Sequence, residues 1–472
     1  MFYRSIHKQI SGLICLLLLY FFSYDVKAEE LTLNNFLKEL KKNHPIVLQR
    51  IQKENESKFF RQSVQGNFDT KLSVDQFSYH SGLYNGNRGS VMFEQPLEFQ
   101  GVNLFSGYKI SRGNFPIYDD QFLTREGGQF LAGFDLPLLR DRGIDNRRAS
   151  LRLADLDIVR ERQITLYTTL LLEREATVNY LNWIATGKKL KIAEELLAVA
   201  KERGGQLERR AAAGEQAMFD VIDNNRAIQQ REAQVISAKA GLREAAIGLS
   251  VFMVDQDGKP YEPSIKELPK NFPLLTFEYE QNLNSLIDET IKRRPDLKEL
   301  SMRLEKNLIE IDLARNQKLP RLRIKGGISD DLGEEANKRS SDPQIITGIN
   351  FEFPLQNNFA SGQLLAAEAQ RQNLQQQLIN LKNNLKADLE KALINIKAAK
   401  ERIIALEKEL RFAEEVAIGE RERLIAGESS ILFVNLREQT IAESAARLID
   451  ANFDLHRYYA DYIAVTGLSV EN

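Results

Sequence analysis

Two hydrophobic periods divide the chain. From Ser361 to about Glu420, apolar or small residues fall at Leu374, Leu378, Leu381, Leu385, Leu389, Ala392, Ile396, Ala399, Ile403, Leu406, Leu410 and Ala413. The steps are threes and fours with one extra four, which is a heptad seam carrying a single stutter. No Pro interrupts it, and Arg147 to about Arg203 is its counterpart earlier in the chain. At 1.5 Å per residue such a helix is about 85–90 Å long, more than a globular core can bury. The spacing therefore predicts long helices paired as antiparallel hairpins.

The second period is two. Ile345, Thr347, Ile349, Phe351 and Phe353 share one face, with Gly348, Asn350 and Glu352 on the other. Leu322, Ile324 and Ile328 alternate with Arg321, Arg323 and Lys325. Phe130, Ala132, Phe134 and Leu136 alternate with Gly133 and Asp135, and Leu72 and Val74 mark a further strand. Each run is about ten residues, the length that crosses a bilayer as a tilted strand. Alternation of this kind also suits the edge of a soluble sandwich.

The elements come twice. Gly214-Glu215-Gln216-Ala217-Met218-Phe219-Asp220-Val221 aligns with Gly427-Glu428-Ser429-Ser430-Ile431-Leu432-Phe433-Val434. Asp135-Leu136-Pro137-Leu138 matches Glu352-Phe353-Pro354-Leu355, and His44-Pro45-Ile46 matches Arg294-Pro295-Asp296. Both halves end on Gly-Leu-Ser-Val, at 248–251 and 467–470. The expected organisation is a first repeat at 29–254, with strands in 68–139 and a helical hairpin at 147–250. A Pro-rich linker at 255–280 follows, then a second repeat at 281–472 with strands in 321–355 and a hairpin at 360–466. Pro45 to Pro137 spans 92 residues against 59 for Pro295 to Pro354, so the first strand region carries 33 extra residues. These hold Val91, Phe93, Leu97, Val102, Leu104, Tyr108 and Ile110 and read as an added hairpin near 88–112. The sequence leaves open whether it joins a barrel or packs beside it.

Two crossings per half give four strands per chain, too few to close a barrel. An open strand edge in lipid leaves polar backbone groups unpaired at several kcal/mol each. Copies of the chain must then complete the wall, and three copies would supply twelve strands. The expected fold is mostly α with membrane β: tandem-duplicated long helical hairpins forming a trimeric α-barrel, plus a shared transmembrane β-barrel of about twelve strands.

The start of the chain sharpens the compartment. Arg4, His7 and Lys8 precede an apolar run from Gly12 to Phe22, and Val26-Lys27-Ala28 supplies the small residues of a cleavage site. This reads as a secretory signal over 1–28. The run is short for a spanning helix, and no later apolar stretch is long enough to be one. Cys15 is the chain's one cysteine and lies inside the run, so the exported chain is expected to carry none. The four His (His7, His44, His80, His456) are scattered, and no metal or cofactor is expected. Lys plus Arg number 64 against 66 Asp plus Glu, a net charge of −2, too balanced for a nucleic-acid partner.

Together these features resemble the TolC-type outer-membrane efflux family over essentially the whole exported chain. The marks are Arg294-Pro295-Asp296-Leu297, Leu319-Pro320 ahead of a strand, Phe353-Pro354-Leu355, and the paired Ala-Gly turns. The resemblance implies a homotrimeric exit duct in outer-membrane lipid with a helical tube in the periplasm. Its tip would dock on a periplasmic adaptor that serves an inner-membrane pump. By match, the adaptor contacts are Ala213, Gly214 and Glu215 with Ala426, Gly427 and Glu428. The family narrows its periplasmic mouth with Asp six residues after the Gly. Here that residue is Asp220 in the first repeat, with Asp223 a turn on. In the second repeat it is Phe433, followed by Leu436 and Arg437, which departs from the pattern. Phe433 is then either a hydrophobic constriction or a packed seam residue.

The expected function is a passive conduit for efflux or type I secretion. No P-loop is present: Gly204-Gly205 lacks the Lys-Ser/Thr that a phosphate needs. The alternative is a periplasmic coiled-coil scaffold or adaptor without a pore. An enzyme is not expected, because carboxylate-rich stretches such as Glu407 to Glu415 sit beside Lys408 and Arg411 as ion-paired helix surface. The five Met do not cluster, which lends soft-metal cargo no support.

Overall fold

The computed structural model describes residues 30–115, 123–274, 282–334 and 343–468. The expected signal segment at 1–28 lies outside the described residues.

The first half runs α1 (Leu33–Asn43), α2 (Pro45–Gln65), β1 (Lys71–Tyr79), β2 (Asn85–Pro96), β3 (Asn103–Asn114), β4 (Gln129–Pro137), α3 (Asn146–Ala212) and α4 (Met218–Ser250). The second runs α5 (Leu283–Arg293), α6 (Pro295–Gln317), β5 (Arg321–Asp331), β6 (Gln344–Glu352), α7 (Asn358–Ile425) and α8 (Ile431–Thr466). In both halves a proline sets the break between the first two helices. A residue before Pro is pushed to extended backbone, and Pro fits the first turn of the next helix. His44 and Arg294 accordingly sit at ψ 129° and 123°.

The chain forms two compact units, each drawing on both halves: residues 1–45, 169–281 and 388–472 in one, 46–168 and 282–387 in the other. In the first unit, Phe36 stacks on Tyr180 at 5.7 Å and Tyr180 lies 6.4 Å from Trp183, all three fully buried. The Tyr180 hydroxyl donates to the Leu31 carbonyl at 2.7 Å, so burial costs it no lost hydrogen bond. On α7 the heptad positions Leu374, Leu385, Leu389, Ile396 and Ile403 are buried, while the off-seam Ile379, Ile394 and Ile404 are at least half exposed.

The second unit holds one six-stranded antiparallel sheet in the order β1-β2-β3-β4-β5-β6. The added hairpin is β2 and β3, hydrogen-bonded between β1 and β4. The count of four strands per chain therefore gives way to six in one sheet among the described residues. The reason is plain in the register. Leu72, Phe93, Ser106, Ala132, Ile328 and Ile345 form one row across all six strands, so the hairpin keeps the pleat of its neighbours. Because the side-chain period is two, every residue two positions along shares that face. Val74, Val91, Tyr108, Phe130, Ile324 and Ile349 lie on it, so every strand from β1 to β6 sets apolar or aromatic side chains on this face. The opposite face carries Lys71, Asp75, Glu94, Lys109, Asp135, Arg323, Lys325 and Asn350. There Arg323 donates to Asp135 at 2.7 Å. None of the described helices is long and apolar enough to cross a membrane.

Candidate functional site

All the candidate residues lie in the first unit. The two hairpin turns between α3 and α4 and between α7 and α8 have the same hydrogen bonds. At the first, Gly214 N–H donates to Ala211 O at 3.0 Å and Glu215 N–H to Arg210 O at 2.9 Å. At the second, Gly427 N–H donates to Leu424 O at 3.1 Å and Glu428 N–H to Arg423 O at 2.8 Å. This is the pair of bonds that closes a helix on a left-handed residue and satisfies its last carbonyls. Gly214 has φ +78° and Gly427 φ +80°, a conformation in which a Cβ is strained. No atom lies within 4 Å of where a Cβ would stand on either, so what demands Gly here is the backbone rather than packing. Ala213, Glu215, Ala426 and Glu428 are exposed.

Below the turns, Leu207 of α3, Val221 of α4 and Ile431 of α8 are buried together, with Leu424 of α7 packed against them. The two hairpins thus share one apolar plug. Phe433 points elsewhere. It is 49% exposed, as are Leu432 and Leu436 at 51%, while the neighbouring Val434 and Asn435 are buried. Within the chain the seam falls on Ile431, Val434 and Glu438 rather than on Phe433. Asp220 is half-buried and accepts from Gln216 Nε2 at 2.5 Å. Asp223 pairs with Arg226 at 3.2 Å and accepts from Asn435 Nδ2 at 3.4 Å. Arg437 lies 3.7 Å from Glu420, which also takes the Ser429 hydroxyl at 2.5 Å.

Farther from the turns lies a charged cluster the sequence reading missed. The Glu438 carboxylate, 3% exposed, accepts from Arg203 at 2.5 Å, Arg231 at 3.0 Å and Arg421 at 3.2 Å. Arg231 also donates to the Leu196 carbonyl at 2.9 Å. Arg203 donates to the fully buried Asn224, whose own amide donates to Ala200 O at 3.2 Å. One acid on α8 thereby ties α3, α4 and α7. Burial works to raise the Glu438 pKa, but the bonds and charges of Arg203 and Arg231 outweigh it and hold the carboxyl below its usual range. Burial pulls Arg231 below its ordinary value despite the same acid. A signal was available: Asn224, Arg231 and Glu438 each interrupt an otherwise apolar heptad stripe.

Among the described residues no group of His, Cys, Asp and Glu is placed to hold a metal ion.

Residues 286–467 match the family model described as "Outer membrane efflux protein". No curated protein matches the sequence. The chain is similar in fold to several solved channels. The outer membrane protein VceC from Vibrio cholerae shares 14% identity at TM-score 0.64, over 93% of this chain and 96% of that one. The CmeC outer membrane channel from Campylobacter jejuni shares 14% at 0.64, over 92% and 85%. CusC, described for its transmembrane channel formation, shares 15% at 0.65, over 93% and 92%. The resemblance to the TolC-type outer-membrane efflux family is borne out, by sequence in the second repeat and by fold through nearly all of the chain.

Proposed function

We propose that this outer-membrane efflux protein works as a homotrimeric, passive exit duct whose hairpin tips dock on a periplasmic adaptor serving an inner-membrane pump. One observation carries the reading: a single sheet with an apolar face, a polar face and two open edges, β1 and β6. A bilayer rewards the apolar face, with Ile345 at 81% and Ile349 at 77% exposed. It penalises both edges, because unpaired N–H and C=O groups find no water in hydrocarbon. Further copies of the same chain relieve that penalty by edge pairing. A scaffold without a pore has no use for the apolar face.

At the hairpin turns, the open space around Gly214 and Gly427 lets a partner helix approach the backbone closely. Asp220, Asp223, Phe433, Leu436 and Arg437 follow these turns and are the residues we assign to the constriction. Its two repeats differ in kind, acidic in one and apolar with one Arg in the other. The duct spends no energy of its own; the pump supplies it, whether the cargo is a small molecule or a secreted polypeptide.

In detergent the protein is expected to run as a heat-dissociable trimer, and in planar bilayers to conduct. A water-soluble monomer without affinity for micelles would end the reading. Gly427→Trp is expected to abolish export while the trimer persists. Unimpaired export by that variant would remove the adaptor contact from the turn.

A further inference from the structure

The added hairpin changes what the wall can be. β2 and β3 are bonded to each other from end to end, β2 to β1 from Lys71↔Glu94 to Tyr79↔Gly86, and β3 to β4 from Asn103↔Asp135 to Lys109↔Gln129. Side chains bind the hairpin into the same sheet on both faces. On the polar face the Phe105 ring of β3 lies across Gly133 of β4 and reaches Gly327 of β5; a Cβ on Gly133 would come within 2.6 Å of it. An aromatic laid over cross-strand glycines is a device that fixes register in curved sheets. On the apolar face Tyr108 of β3 packs against Phe130 of β4 at 5.1 Å, and its hydroxyl donates to the Gly127 carbonyl at 2.8 Å. A hairpin lying beside a barrel needs neither the shared pleat nor these ties.

Six is also an even number. β1 and β6, the two edges, run in opposite directions, so β1 of one copy meets β6 of the next as an antiparallel pair like the five pairs inside the sheet. Both edges have nine residues. They match in chemistry as well. Leu72 and Val74 of β1, like Phe351 and Ile349 of β6, lie on the apolar face near the end of the strand joined to helix. On the polar face at that same end β1 carries Lys71 and β6 carries Glu352, which is 60% exposed as a side chain.

We infer that the β1 edge is built to accept the β6 edge of a second copy of this chain, with β2 and β3 inside the wall, so that three copies close an eighteen-stranded barrel. The threefold count rests on the duct reading above; the seam and the place of the hairpin do not. Barrel diameter grows roughly linearly with strand number, so the wall is about 1.5 times as wide as one of twelve strands, a size that leaves an aqueous lumen.

Cys15, the one native cysteine, falls in the expected signal segment, so introduced cysteines report cleanly. Ser73→Cys is combined in turn with Gly348→Cys, Asn350→Cys and Glu352→Cys, all on the polar face, to cover neighbouring registers. Oxidised in outer-membrane vesicles, at least one pair is expected to give covalent dimer and trimer bands that reductant removes, while single variants give no trimer. A fluorophore on Val91→Cys is expected to be quenched several-fold more by a lipid-borne quencher than one on Met92→Cys. Closed covalent dimers with no trimer would replace eighteen strands by twelve and overturn the count. Trimers by native mass with no cross-link in any pairing, and a Val91 label reached only from water, would put the hairpin outside the wall and leave the duct standing. Monomers without membrane affinity would sink both.

Discussion

The two hairpin turns have one backbone and two chemistries. Gly214 and Gly427 share φ within 2° and the same pair of closing bonds. Eleven residues past the glycine, the second repeat places Glu438, buried under three arginines. The first repeat places Asn225 there, exposed. Seventeen residues past it, the first repeat has Arg231 and the second has Ser444. Ser444 is fully buried and donates to Glu409 at 3.0 Å. The geometry comes twice. The base Arg231 follows one turn and the acid Glu438 the other, so that the hairpins are held together by what makes them different.

Removing the acid tests that asymmetry hardest. Glu438→Ala leaves Arg231, 5% exposed at its side chain, buried without its countercharge. Breaking a buried pair on one side costs about 3–5 kcal/mol. Asn225→Ala, at the matching place in the other repeat, is expected to stay within about 0.5 kcal/mol. Thermal unfolding of the two variants side by side measures the gap. Equal losses would mean the cluster is incidental to how the hairpins hold.

Acid should erase part of the same difference. The folded Glu438 carboxyl sits below its usual range, so its contribution is complete above the ordinary carboxylate value of about 4.3. It is lost as the pH falls through the depressed folded value. The stability gap between wild type and Glu438→Gln is therefore expected to be flat near neutrality and to shrink below about pH 4. A gap that widens on acidification would show that the arginines are not what holds the proton off.

How much of this was legible follows from the range of each interaction. The heptad on α7 and the alternation in β4, β5 and β6 are local periods, and a period shows in one sequence without its partner. The glycine turns were legible because the conformation they need is nearly closed to other residues. Pairing partners were not. The hairpin at β2 and β3 alternates as a strand must, but only the ladder from Leu72 to Ile345 assigns it to the sheet. The Glu438 cluster joins residues more than 200 apart in sequence, and its members look like the charged surface common on long helices. Even Glu409, read as helix surface beside Lys408 and Arg411, reaches across its hairpin to Arg447. Phe433 had two open readings for a related reason: it sits one place from the buried Val434, and periodicity alone does not fix a helix stripe to a single residue.

The smallest effect tests whether the two turns are as alike as their bonds. Gly214→Ala and Gly427→Ala meet no atom within 4 Å, so the cost is confined to holding an L-residue in left-handed backbone, about 1–2 kcal/mol. Because φ and both closing bonds agree, the two losses should match within about 0.5 kcal/mol by thermal unfolding of the purified protein. Their sequels need not match, since Asp220 and Asp223 follow one turn and Phe433 and Leu436 the other. Equal stability losses with unequal losses of export would place the functional asymmetry in those following side chains. Unequal stability losses would place it in the turns themselves, and would mean that surroundings beyond the single chain already distinguish two glycines whose own geometry is the same.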